Sequence, residues 1–292
     1  MRARRLWAVV ATTPLLGCNG LLDLDVSYAD CVDPPGKRYA ETFDDRSFQD
    51  LRDRCWRVSN VGYAPSGVGD KIFLEDGDLV MRTEYDSKST DRDEWTATDQ
   101  APFFHRRVEG DFLLVARVEA SSKASADHCL PDRNSAGLAL RPSSGDAAWL
   151  TWTVEPYIWD HGATKAACEE DADDTNNPTA RLRLRTPAQE APTVDDVGLD
   201  GETDIGLSRV GSEVFHYFRR PTQALTTDGW SSGGASAATM PGVLDLGLTA
   251  TGSGAEYQAA GHFNWVVFER GTWGDGCAAA LERFQLPEAD PK

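Results

Sequence analysis

From Tyr39 onward apolar residues recur at every second position in short runs, and the runs are separated by Gly, Asp, Asn, Ser and Pro at fairly regular spacing. Alternation of period two is what a strand with one buried face requires, and many short strands joined by turn residues make a two-sheet sandwich. The pattern predicts strands at Glu41–Phe43, Trp56–Asn60, Lys71–Leu74, Asp78–Thr83, Ala101–Arg107, Asp111–Glu119, Ala136–Arg141, Ala148–Glu155, Arg181–Arg185, Thr203–Arg209, Glu213–Phe218, Gly242–Ala250 and Ala260–Glu269. Glu75-Asp76-Gly77-Asp78, Ser143-Ser144-Gly145-Asp146 and Val210-Gly211-Ser212 read as hairpin turns, with glycine supplying positive φ. Helical periodicity is nearly absent; the one helix expected is short, Ala278 to Phe284.

Alternation also assigns faces. Leu138, Leu140, Leu150, Trp152, Val154, Leu182 and Leu184 should point between the sheets. The opposite set, Arg141, Trp149, Thr151, Thr153, Glu155, Arg181, Arg183 and Arg185, should point outward as an array of guanidinium, hydroxyl and aromatic groups. Such groups suit sugar recognition, and arginines in a line can fork onto sulfate, uronate or phosphate. The competing reading is a solvated strand face whose arginines pair with the abundant acids.

Upstream of the strands, Arg2, Arg4 and Arg5 precede an apolar stretch from Leu6 to Leu16 that is too short to span a bilayer. Leu15-Leu16-Gly17-Cys18 then resembles the lipobox of bacterial lipoproteins, which implies cleavage after Gly17 and acylation of Cys18. On that reading residues 1–17 are a signal peptide and 18–38 a tether with Pro34-Pro35-Gly36. Residues 39–273 form one domain and 274–292 a tail. Asn19, in place of the aspartate that commonly retains lipoproteins at the inner membrane, points to the outer membrane.

Three of the 29 basic residues leave with the leader and no acid does, so 26 cations face 47 acids, a net charge of −21. A surface of that sign argues against nucleic acid and against direct adsorption to anionic lipid. Membrane association is therefore expected through the acyl anchor only, and a monomer is expected.

Five cysteines remain after acylation, in a compartment that permits disulfides. Cys129 and Cys168 flank a predicted hairpin and form the first expected pair. Cys31 and Cys277 precede and follow the first and last strands, and antiparallel pairing of those strands would bring them together. Cys55 is then left as the free thiol beside Trp56.

Gly110-Asp111-Phe112, Ala136-Gly137-Leu138-Ala139-Leu140-Arg141, the run Ile205 to Gly211, Thr227-Asp228-Gly229-Trp230 and Phe263 to Phe268 together resemble the concanavalin A-like lectin and glucanase superfamily, in its small bacterial jelly-roll form. The resemblance covers about residues 40 to 270 and implies an all-β, two-sheet antiparallel jelly-roll sandwich with one sheet often used for glycans. The chain departs from it at Asp228-Gly229-Trp230, where related chains place residues between Gly and Trp, and in a long acidic insertion at 157–180.

A glucanase of this superfamily would set Glu-x-Asp-x-x-Glu along one strand to hold two carboxyls about 5 to 5.5 Å apart, and no strand here carries it. There is no Gly-x-Ser-x-Gly elbow, Cys-x-x-Cys or His-x-x-x-His, and the five histidines are scattered, so no catalytic residue is assigned. Asp171, Asp173, Asp174 and Asn176 offer hard oxygen ligands for calcium, an ion that related jelly rolls use to pin loops, although the loop lacks the glycine and distal glutamate of an EF-hand. Trp95, Tyr157 and Trp159 are a second possible aromatic contact at the sheet rim. The expected function is a lipid-anchored, non-catalytic binding module for carbohydrate or another envelope ligand. A structural or protein-interaction lipoprotein comes second and a glycan-active hydrolase third.

Overall fold

The computed structural model describes residues 31, 37–44, 46–59, 71–83, 101–123, 135–143, 148–156, 180–187, 189–194, 202–219, 230–236, 240–251 and 258–271. The leader with Cys18, the Cys129–Cys168 pair, the acidic loop with Asp171, Asp173, Asp174 and Asn176, Cys277, Trp95, Tyr157, Trp159 and the tail helix all lie outside the described residues.

Among the described residues, fifteen strands and one short helix follow in order: β1 Arg38–Thr42, α1 Phe48–Asp53, β2 Arg57–Ser59, β3 Ile72–Glu75, β4 Asp78–Thr83, β5 Phe103–Glu109, β6 Phe112–Lys123, β7 Ser135–Pro142, β8 Leu150–Pro156, β9 Ala180–Thr186, β10 Gln189–Val194, β11 Thr203–Val210, β12 Glu213–Arg219, β13 Ser231–Ser236, β14 Val243–Thr251 and β15 Gln258–Arg270. They form two antiparallel sheets. An eight-stranded sheet runs β13-β12-β11-β6-β15-β4-β3 with β1 also on β15, and a seven-stranded sheet runs β10-β9-β8-β7-β14-β5-β2. The chain crosses from sheet to sheet between β4, β5, β6 and β7 and again between β13, β14 and β15, the interleaving of a jelly roll. The long β15 organises the larger sheet: β4 pairs with its first half, β1 with its second, and β6 along its whole opposite edge. Among the described residues no helix is long and apolar enough to cross a membrane.

Between the sheets lies one apolar core. Leu138, Leu140, Leu150, Trp152, Val154, Leu182 and Leu184 all belong to it, as the alternation requires. Trp152 also ties the sheets together, because its indole N–H on β8 donates to the Tyr217 carbonyl on β12 at 2.8 Å. Arg106 is a charged residue that faces inward. Arg106, 1% exposed, sets its guanidinium over the rings of Tyr39, Phe268 and Trp56 at 4.1, 4.9 and 5.5 Å, a cation–π nest that offsets part of its burial cost.

Three elements escape the periodicity. β10 carries Pro192 at a register shift, and β13 reads Ser-Ser-Gly-Gly-Ala-Ser with no apolar alternation; both are edge strands, where missing ladder bonds are tolerated. Helix α1 is six residues long, held by a Ser47/Asp50 capping box, and buries only Leu51. The turn at Asp76-Gly77 has φ of 53° and 89°, the primed geometry that a tight hairpin between β3 and β4 needs.

The cysteine pairing is corrected. Strands β1 and β15 do pair antiparallel, Arg38 opposite Glu269, yet Cys31 is bonded to Cys55, not to Cys277. Cys55 sits at positive φ, 69°, just past the end of α1, and this turn brings it to a Cα–Cα distance of 5.6 Å from Cys31. Cys55 is therefore not a free thiol, and Cys31 is covalently fixed just ahead of β2.

Candidate functional site

Strand alternation puts every second residue of β2, β5, β14, β7, β8 and β9 on the outer face of the seven-stranded sheet. The register aligns them in rows across the strands. One row reads Arg57, His105, Gly247, Ala139, Thr151, Arg185, and the next reads Ser59, Phe103, Thr249, Gly137, Thr153, Arg183. On the other side of the first row, Asp245 on β14 lies between Arg107 on β5 and Arg141 on β7. Glycine is required in the middle: a Cβ at Gly247 would meet the Phe104 carbonyl oxygen, and one at Gly137 the Trp152 carbonyl oxygen.

The floor of this face is small and closed to water. Ala139 and Thr249 are 0%, Thr153 1% and Thr151 2% exposed. Trp149 packs with Ala101, Phe103 and Ala139 instead of standing as an open platform. The arginines above it are partly open to solvent: the side chains of Arg107, Arg141, Arg183 and Arg185 are 27%, 16%, 15% and 13% exposed.

Two buried carboxylates hold those guanidiniums in place. Glu155 receives Arg185 at 2.6 Å and Arg183 at 3.1 Å. Asp245 accepts from the Ser143 hydroxyl at 2.7 Å and from Arg107 Nε at 3.4 Å, with Arg141 Nε at 3.7 Å. Arg141 also donates to Ser59 Oγ at 3.1 Å and lies over the Phe103 ring at 5.1 Å. His105 stacks on Phe103 at 4.6 Å, and its Nδ1 is 4.0 Å from Asp245 Oδ2. Burial, reinforced by Arg141, Arg107 and Arg57 and opposed by Asp245, pushes the His105 imidazole down to about 4, so it is neutral at pH 7.

The array expected from sequence is thus partly assembled. Arg141, Arg183, Arg185 and Glu155 come together on one face; Trp149, Thr151 and Thr153 share it but are buried; Arg181 is in register opposite Glu155, and its side chain lies outside the described residues. Sequence reasoning missed Arg57, His105, Arg107 and Asp245. The alternation of Phe103, His105 and Arg107, and of Leu244, Leu246 and Leu248 around Asp245, was the available signal. What it lacked was the strand order β7-β14-β5, which makes neighbours of segments more than a hundred residues apart in sequence.

The other two described histidines stand apart from this face. His216 faces the core against Trp152 at 4.5 Å, and His262, on the outer face of the larger sheet, approaches Asp78 at 3.8 Å. Among the described residues no group of three or more His, Cys, Asp or Glu side chains is arranged to hold a metal ion.

No protein-family model matches this chain, and no curated protein does. Solved structures of similar shape include a functionally unknown protein from Saccharomyces cerevisiae, 15% identical over 73% of this chain and 95% of that one, with a TM-score of 0.47. Xylan beta-1,4-xylosidase from Bacillus halodurans is 13% identical over 82% of this chain and 40% of its own, with a TM-score of 0.49. Lotus tetragonolobus seed lectin is 10% identical over 80% and 97%, with a TM-score of 0.46. Likeness at this level concerns the shape of the sandwich, and no functional residue is transferred from it.

Proposed function

We propose that this chain is a non-catalytic carbohydrate-binding module, acylated at Cys18 and held at the cell envelope, in the outer membrane. The observation that carries the reading is the outer face of the seven-stranded sheet. Arginines from β5, β7 and β9 are set there around a floor of small buried residues, each side chain partly exposed and oriented by a buried carboxylate. Planar forked donors fixed before the ligand arrives lower the ordering cost of binding. Glu155 and Asp245, the two buried carboxylates described on this face, are engaged in ion pairs, which favours a positioning role for them over proton transfer. The acidic loop at Asp171, Asp173, Asp174 and Asn176 is the proposed place for calcium, should binding need it.

A second reading, a protein-interaction module, is favoured by β13, an edge strand whose Ser231, Ser232, Gly234 and Ala235 are exposed and carry no charge to block strand addition. The test is a glycan array probed with the full chain, with calcium and again with chelator. The glycan-binding reading expects specific binding to a subset of glycans, and loss with chelator would tie it to the acidic loop. An array blank under both conditions overturns it in favour of the interaction module.

A further inference from the structure

The Cys31–Cys55 bond lies just ahead of β2, the strand at one edge of the seven-stranded sheet, and its two sulfurs have different surroundings. Cys31 is 7% exposed, whereas Cys55 is partly open to solvent in the turn between α1 and β2. Arg57, at the start of β2, turns its Nη2 to the Cys31 sulfur at 3.9 Å. Through Nη1 the same guanidinium donates to Arg52 O at 3.0 Å and to Trp56 O at 2.9 Å, and neither carbonyl carries a charge that would offset its own. A cation is thus fixed beside one sulfur of the bond. On the other side, Arg54 is adjacent to Cys55 in the chain but is paired with the buried Glu41 at 2.9 Å.

We propose that this bond is a site of thiol–disulfide exchange, in which a small external thiol attacks Cys55 and Cys31 departs as a thiolate against Arg57. The proposal goes beyond the glycan-binding reading and does not rest on it. The incoming thiolate forms a bond to Cys55 Sγ, the Cys55–Cys31 bond breaks, and its electron pair leaves on Cys31 Sγ. A second thiolate then attacks the external sulfur of the mixed disulfide and releases Cys55, and the two freed sulfurs draw their protons from water. Two external thiols are oxidised to their disulfide and the protein gains two thiols.

Access and charge select the same direction. The attacked sulfur has to be reachable, and Cys55 is the more open of the two. Exchange is faster when the departing thiolate is stabilised, and a neighbouring guanidinium does that at Cys31. The fold around the bond stays seated while it opens: Trp56, 1% exposed, stacks on Phe104 at 4.7 Å, and Leu51 of α1 is equally buried. Cys55 itself sits at φ 69°, a left-handed conformation that a residue with a side chain adopts at a cost, so opening frees its backbone to relax.

The test is to treat the full chain with reduced glutathione at pH 7 without denaturant, quench with acid at short times, alkylate, and map which of the six cysteines carries which label. Glutathione is expected on Cys55 and the alkyl group on Cys31. Arg57→Gln should slow the exchange about threefold or more, and Arg57→Lys, which keeps the charge, should recover most of the rate. In denaturant the preference for Cys55 and the effect of Arg57→Gln should both disappear, which a merely structural role for Arg57 does not predict. Melting temperatures identify a variant that fails to fold, and in that event the labelling of the wild type decides the matter alone.

Glutathione found on Cys31 in place of Cys55 overturns the proposal, as does a bond that exchanges only once denaturant is added. A folded R57Q variant that exchanges as fast as the wild type overturns it too. None of these outcomes bears on glycan binding, which the array reads separately.

Discussion

Among the described residues two histidines are closed off from water, and both titrate against the fold. Burial pushes His216 and His105 down to about 4 from an ordinary value near 6.5. An unfolded chain takes up protons at these positions below about pH 6.5 and the folded chain does not, so the stability they confer is present above that pH and lost as pH falls toward 4. His262 runs the other way. Its hydrogen bond to Asp78 raises it, so its contribution is complete at low pH and lost as pH rises through its raised value. The melting temperature is therefore expected to fall between pH 7 and pH 5, and His216→Leu should flatten roughly half of that slope. An unaltered slope in the leucine variant would show that His216 is protonated in the fold. The disulfide is likewise a single-position matter. Cys31→Ser with Cys55→Ser should lose about 3 kcal/mol in denaturant unfolding, the expected worth of closing a loop of this length. An unchanged midpoint would mean the bond does not form.

Ion pairs in this protein belong to rows of strands. On the outer face of the larger sheet, Asp204 on β11 lies in register between Arg117 on β6 and Arg219 on β12 and accepts from both. Trp265 and Trp230 lie under the two guanidiniums at 5.5 and 5.0 Å. Asp204→Ala leaves Arg219, 1% exposed, buried without its anion, and should cost about 3–5 kcal/mol by chemical denaturation. A loss below about 1 kcal/mol would show that water replaces the carboxylate. Gly247→Ala tests the close approach of β14 to β5 and should cost about 1–3 kcal/mol, since backbone must move to admit the methyl group.

Strand positions were legible because period-two alternation survives wherever one face is buried, as in Leu138 and Leu140 or Leu150, Trp152 and Val154. It failed for Ser231–Ser236 and Gln189–Val194, edge strands whose pairing depends on backbone bonds more than on side-chain burial. Face assignment was legible too, but exposure was not. Thr151 and Thr153 do point away from the core, yet both are buried, because neighbouring side chains rather than strand period decide what water reaches. The Cys31–Cys55 bond was hidden for a related reason: it depends on a left-handed turn after a six-residue helix that one buried leucine does not announce.

For the molecule as a whole, a strongly acidic chain carries its described arginine-rich face on one sheet of a sandwich, with partly exposed arginines held by buried acids. The central claim is that this face binds glycan. It is tested most directly by titrating a charged polysaccharide into the wild-type chain and into a variant with Arg183→Gln, Arg185→Gln and Glu155→Gln together, so that no carboxylate is left buried without its partners. The account predicts saturable binding to the wild type and a loss of about tenfold or more in the variant, with the cooperative melting transition retained. Wild-type affinity in a folded variant would contradict it.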